Sequence, residues 1–75
     1  MTKLTNLKEN QRAIVESITS GWKATKRLAD LGLVSGTEIK VRAKTLFWGP
    51  IEIEVRGSRL VLGRGLASKI LVKEL

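Results

Sequence analysis

Between Pro50 and Arg56 the chain alternates without a break, with Ile51, Ile53 and Val55 set against Glu52, Glu54 and Arg56. That two-residue period is the pattern of a strand with one face buried. Thr37 to Lys44 repeats it: Ile39, Val41 and Ala43 are expected inward, and Glu38, Lys40, Arg42 and Lys44 outward. If the two strands pair antiparallel, Glu52 and Glu54 can face Lys40 and Arg42, each pair contributing roughly 0.2–1 kcal/mol. Gly57-Ser58 reads as a tight turn leading to a strand over Arg59–Leu62, which Gly63-Arg64-Gly65 then breaks. A last short strand is expected over Lys69–Val72, with Ile70 and Val72 on one face.

Upstream, Arg12 to Thr19 is a further strand whose alternation slips. Ala13 and Val15 share a face, but the next apolar residue, Ile18, comes one position late. One extra residue is what a β-bulge inserts, and a bulge bends the strand that carries it. A single helix interrupts the strands. Ser20 or Gly21 can cap its start, Ala24, Leu28 and Leu31 keep helical spacing, and Lys23, Lys26, Arg27 and Asp30 face away. Gly32 follows the last periodic residue, where a left-handed C-cap favours a residue without Cβ, and Leu33 can fold back over the final turn. Val34-Ser35-Gly36-Thr37 reads as a turn, with Gly36 as a second structural glycine. Trp22, at the helix start, is expected to staple the helix to the sheet.

Strand, helix, then four closely connected strands leave no βαβ alternation, so a parallel sheet is not expected. The reading is a mainly β fold, a small five-stranded SH3-like barrel with one short helix between its first two strands. All 75 residues form a single domain. Closing the sheet protects edges that so small a chain would otherwise expose.

Composition changes the picture mainly through what is missing. A chain of this size buries only about 60% of its unfolded surface, and small folds often lean on disulfides or metals. Here there is no Cys and no His. That removes disulfides and the ligands most used for zinc and other transition metals. It also removes the usual general base near neutral pH and the thiol nucleophile. No catalytic residue, metal or cofactor is therefore assigned, and the chain is not expected to be an enzyme. The net charge of +7 points towards an acidic partner, a nucleic acid or an anionic surface. No run of apolar residues is long enough for a membrane helix, and no apolar signal core follows Met1. The expected location is cytoplasmic, peripheral at most to the inner face of the membrane.

The run Arg27-Leu28-Ala29-Asp30-Leu31-Gly32-Leu33-Val34-Ser35-Gly36-Thr37 resembles the helix–turn signature of the FeoA family, the small ferrous iron transport accessory proteins. Gly49 to Leu60 is similar to that family's following strand pair, and Ala67, Ile70 and Val72 to its closing strand. The likeness runs from Leu4 to Val72. Ser35 stands where the family usually has proline, and Asn10 where it usually has glycine. Leu66 lies in a stretch that usually carries more charge, and is read as core. The resemblance implies a cytosolic partner of a large membrane ferrous iron transporter, binding through that transporter's GTPase domain. The same barrel occurs as the C-terminal domain of iron-dependent repressors, so a freestanding repressor-type interaction domain is an alternative.

Two surfaces are candidates for partner binding. Lys23, Lys26 and Arg27 form a basic cluster on the exposed helix face, suited to an acidic patch; the plainer reading is a solvated face with a weak Lys26–Asp30 pair. Leu46, Phe47 and Trp48 put three large apolar residues into one loop, and an exposed aromatic there would be an interface anchor, Trp48 first. Otherwise the loop plugs one end of the barrel. Arg27 and Arg64 are conceivable arginines supplied in trans to a GTPase. Single-stranded nucleic acid is a competing partner, disfavoured because the only aromatics, Trp22, Phe47 and Trp48, lie off the expected strand faces.

Overall fold

The computed structural model describes residues 1–45 and 49–75. The strands are β1 (Thr2–Lys3), β2 (Arg12–Ile18), β3 (Glu38–Lys44), β4 (Ile51–Val55), β5 (Ser58–Leu62) and β6 (Ile70–Glu74); the helices are α1 (Trp22–Asp30) and α2 (Arg64–Ala67). They form one antiparallel sheet in the order β1-β6-β2-β3-β4-β5. The fold is mainly β with the helix between the long strands β2 and β3, as the alternation implies. Three short elements went unpredicted: β1, a 3₁₀ turn over Leu4–Asn6, and α2. Their apolar residues are too few to show a period, yet Leu4, Leu7 and Ala67 are fully buried.

The slip in β2 is a bulge. Its register against β6 shifts between Val15 and Ser17, so that Val15 faces Val72 and Ile18 faces Ile70. Glu16 is the extra residue, and with it looped out Ile18 returns to the inward face. A second bulge in β3 alters the expected pattern. The register shifts between Val41 and Ala43, setting Ala43 opposite Glu52 and Lys44 opposite the buried Ile51. Ala43 is consequently exposed, not inward, and Lys44 turns in. Its Nζ donates to the carbonyls of Thr5 (2.8 Å) and Leu7 (3.0 Å), holding the N-terminal turn across the end of β3. The shift also redistributes the expected charge pairs. Glu54 faces Lys40 and its carboxylate lies 3.5 Å from Arg42, whereas Glu52 faces Ala43.

The β4–β5 turn is one residue earlier than predicted. Val55 pairs with Ser58, so Arg56 and Gly57 are the turn residues, with φ of 52° and 82°. Positive φ at both positions is the type I′ geometry that matches the twist of a two-residue hairpin. Asn10, at φ 68°, adopts the left-handed conformation that its side chain tolerates.

Helix α1 has no side-chain N-cap; Gly21 occupies that position. What secures the helix is its other end. Leu33 N–H donates to Leu28 O (2.9 Å), Gly32 N–H donates to Ala29 O (2.9 Å), and Gly32 has φ 91°. This is the Schellman arrangement, in which the residue after the glycine packs back on the last turn. Leu28 and Leu33 are both fully buried. Leu31, expected on the buried stripe, is instead 45% exposed, because it is the C-cap residue and Leu33 takes its place. Trp22 is 71% exposed and staples nothing to the sheet. Six residues before Leu28, it lies about 120° round the helix from the buried face at 3.6 residues per turn.

Thr37, buried to 6% exposure, ties the next turn. Its hydroxyl donates to Gly32 O (3.3 Å) and accepts from Val34 N–H (3.4 Å), while its own carbonyl accepts from Val15 N–H (2.9 Å). Gly36, at φ 93°, completes this turn and donates to Val15 O. Leu66 is partly buried against the core, as read from the sequence.

Two stability tests follow from these contacts. A Cβ at Gly32 would meet only Val55 at an ordinary 3.8 Å, so the cost of substitution there is conformational. Gly32→Val is expected to lose about 1–2 kcal/mol and several degrees of Tm in thermal unfolding, with Gly32→Asn losing clearly less; equal losses would point to crowding. Lys44→Met keeps the stem but leaves the Thr5 and Leu7 carbonyls without their charged donor. It should cost roughly 1–3 kcal/mol in urea unfolding.

Candidate functional site

Without a side-chain cap or an acidic residue in its first turn, α1 is a poor helix electrostatically. Lys23 stands near the N-terminus, where the macrodipole disfavours a cation. Lys23, Lys26 and Arg27 are all exposed, beside the exposed Trp22. Among the described residues no ion pair joins Lys26 to Asp30; those present are Arg12–Glu38 (3.3 Å) and Arg42–Glu54 (3.5 Å), both on the sheet. The helix therefore presents cations and an indole together.

The second candidate surface, Leu46, Phe47 and Trp48, lies outside the described residues. Its flanks are described and well tied. Thr45 N–H and Oγ1 both donate to Pro50 O, at 3.3 and 2.9 Å, closing the base of the loop. Arg64 then reaches across from α2. Its Nε donates to Gly49 O (3.1 Å) and its Nη2 to Thr45 O (3.5 Å). Arg64 is half-buried, and these bonds give it a role as a clasp on the loop ends. Sequence spacing carried no signal of this, because 15 residues separate Arg64 from Gly49. The structure brings Arg64 and the 45–50 loop together. The cations of α1 belong to a different element, and among the described residues no ion pair joins them to that loop.

The outer face of the sheet carries a row of charges in register, Arg12, Lys40, Glu54 and Arg59. Arg12, Lys40 and Arg56 line a shallow groove there with Glu38 and Glu54. Carboxylates interrupt the cations along it, and no described strand residue is aromatic. A single-strand binding face combines a positive track with stacking rings; this face has an interrupted track and no rings among the described residues. No cluster of three or more carboxylates suited to a metal occurs among the described residues, and no helix is long and apolar enough to cross a membrane.

A bent antiparallel sheet with one helix bridging two of its long strands is an SH3-like fold. The chain belongs to the FeoA family: the FeoA domain matches residues 2–74. It is 38% identical over 74 residues to a protein of Methanocaldococcus jannaschii bearing the proposed name Fe(2+) transport protein A, spanning 99% of this chain and 88% of that one. The solution structure of FeoA from Chlorobium tepidum superposes with a TM-score of 0.91 at 38% identity, covering 99% of this chain and 70% of that chain. FeoA of Stenotrophomonas maltophilia, described as a prokaryotic SH3 domain protein, matches with a TM-score of 0.83 at 27% identity over 97% and 91% of the two chains. The protein is thus an accessory protein of ferrous iron transport with an SH3-like fold.

If Arg64 is the clasp of the loop, Arg64→Ala should speed amide hydrogen exchange at Thr45, whose N–H bonds to Pro50 O, by tenfold or more. Exchange in β2 and β6, whose ladder does not involve Arg64, should stay within about twofold. A uniform increase across the sheet would instead make Arg64 part of the global fold.

Proposed function

We propose that this chain is a cytosolic, non-catalytic module that binds a membrane ferrous iron transporter of the GTPase type, through the GTPase domain, and regulates it. The observation that carries the reading is the α1 face. Lys23, Lys26 and Arg27 are exposed on the same short helix as an exposed Trp22, and Lys23, in the first turn, stands against the macrodipole. A cation placed there is better accounted for by an acidic partner. Membership of the FeoA family supplies the transport context. The mixed charge of the sheet face favours a protein over a nucleic acid. Peripheral placement at the inner membrane face then follows from the partner and needs no anchor in this chain. Leu46, Phe47 and Trp48 form the apolar part of the proposed contact, with Trp48 its anchor, and Arg64 holds their loop.

The test is an NMR titration of labelled protein with the transporter's soluble GTPase domain, with a short single-stranded oligonucleotide as control. Saturable shifts at residues 23–27 and 46–48 with the GTPase domain alone are expected. The Lys23→Glu/Lys26→Glu/Arg27→Glu variant should weaken binding at least tenfold while remaining folded, and Trp48→Ala should weaken it with the fold intact. Shifts confined to the oligonucleotide and abolished by moderate salt would overturn the assignment.

A further inference from the structure

Strand β5 is the last in the sheet and pairs with β4 alone. Which of its backbone groups are left over follows from the turn. Val55 and Ser58 flank the two corner residues Arg56 and Gly57, so they form a hydrogen-bonded pair, and such pairs recur at every second position of an antiparallel ladder. Ser58, Leu60 and Leu62 therefore bond to β4, whereas the N–H and C=O groups of Arg59 and Val61 point away from it. Among the described residues, no backbone bond from elsewhere in the chain reaches those two. The opposite edge of the sheet, β1, has only two residues, too short a template for a further strand.

Exposed edges are usually blunted by lysine, proline, a bulge or a very short strand. β5 runs for five residues with no Lys, no Pro and no shift of register. Val61, a β-branched residue suited to strands, stands 60% exposed on it. Leu60, on the other face, is partly buried against the core. The one charge on the strand is Arg59, which is exposed. The carboxylate across from it is already engaged, because Glu54 lies 3.5 Å from Arg42.

Arg59 selects the occupant. No register of β5 against a second copy of itself brings a carboxylate to Arg59, since the strand has none, and each copy would carry +7. An extended segment of another protein can set a carboxylate opposite Arg59 and apolar side chains opposite Leu60 and Val61. We infer that β5 is a docking edge that takes such an acidic and apolar strand from a partner protein, extending the sheet through the backbone of Arg59 and Val61. In this mode main-chain bonds supply affinity and alternate side chains supply specificity. The inference rests on the reading of the chain as an interaction module and adds a contact separate from the α1 face.

The probe is the acetylated and amidated peptide Thr-Val-Ile-Glu-Thr. Paired antiparallel, it sets its valine opposite Val61, its isoleucine opposite Leu60 and its glutamate opposite Arg59. Titrated into labelled protein, it should give saturable NMR shifts, large at the amides of Arg59 and Val61 and small at those of Ser58, Leu60 and Leu62. N-methylation of the peptide's valine, which removes the donor facing Val61, should weaken binding at least tenfold. Val61→Pro should do the same with the sheet intact, because the lost N–H is outside the β4 ladder; if that variant does not fold, the N-methylated peptide makes the same test on wild type. Exchanging the peptide's glutamate for lysine should weaken it about two- to fivefold, and Arg59→Glu should reverse that preference. Shifts without the alternation, equal binding of the N-methylated peptide, or no saturable shift would overturn the docking edge. Concentration-dependent shifts at Arg59 and Val61 without peptide would place a second copy there and overturn the acidic partner. Titration of the GTPase domain separates this inference from the reading it rests on. If that domain binds wild type and folded Val61→Pro equally, the edge falls and the module stands. If the peptide pairs with β5 and the domain does not bind, the edge stands and the GTPase assignment falls.

Discussion

The bend in β2 is the constraint on which the rest of the molecule depends. A chain of 75 residues with neither Cys nor His must hold its core by packing alone, and a flat sheet of this size would leave one apolar face in water. The extra residue at Glu16 lets β2 pair with β3 through Arg12–Ile14 and with β6 as far as Ile18. Ala13 and Val15 before the bulge and Ile18 after it can then all serve one interior, with Val72 and Ile70 opposite. A bulge sharpens local twist and bending, so the inserted residue in β2, with the second bulge in β3, helps curl the sheet around one core.

The same curvature leaves α1 no broad surface to lie on. Only Leu28 within the helix is fully buried, and the helix is fastened at its C-terminal end by the Gly32 turn and Leu33. Its N-terminal turn, with Trp22 and Lys23, faces outward. The asymmetry leaves the C-terminal end packed and the N-terminal end in solvent. Arg64 fastens a second element from α2. Its bonds to the Gly49 and Thr45 carbonyls hold the base of the loop.

Strand periodicity was legible wherever the two-residue alternation ran unbroken, as in Ile51–Val55, and the bulge of β2 was legible because it displaced a single hydrophobic residue. The bulge of β3 was not. Ala43 is small enough to sit inside or outside, so the pattern continued through the irregularity without an apparent break. Lys44 then read as another outward charge, although its stem lies inward and its ammonium group binds two carbonyls. The turn at Arg56-Gly57 was displaced by one residue for a similar reason: Gly57 marks a turn, but only the pairing of Val55 with Ser58 assigns its two corners.

By itself, the sequence determined the antiparallel β class, the helix and its glycine stop, the absence of thiol and imidazole chemistry, and the resemblance to FeoA. Each of these is local, carried by period, by a residue type at one position, or by a contiguous motif. The tertiary structure alone decided that Trp22 and Leu31 are exposed, that Arg64 clasps the ends of a loop, and that a small groove opens between α1 and β2. Those outcomes depend on which distant segments meet. The burial of a helix face, the ends of a loop and the space between a strand and a helix are properties of pairs of elements, and no local pattern along the chain encodes them.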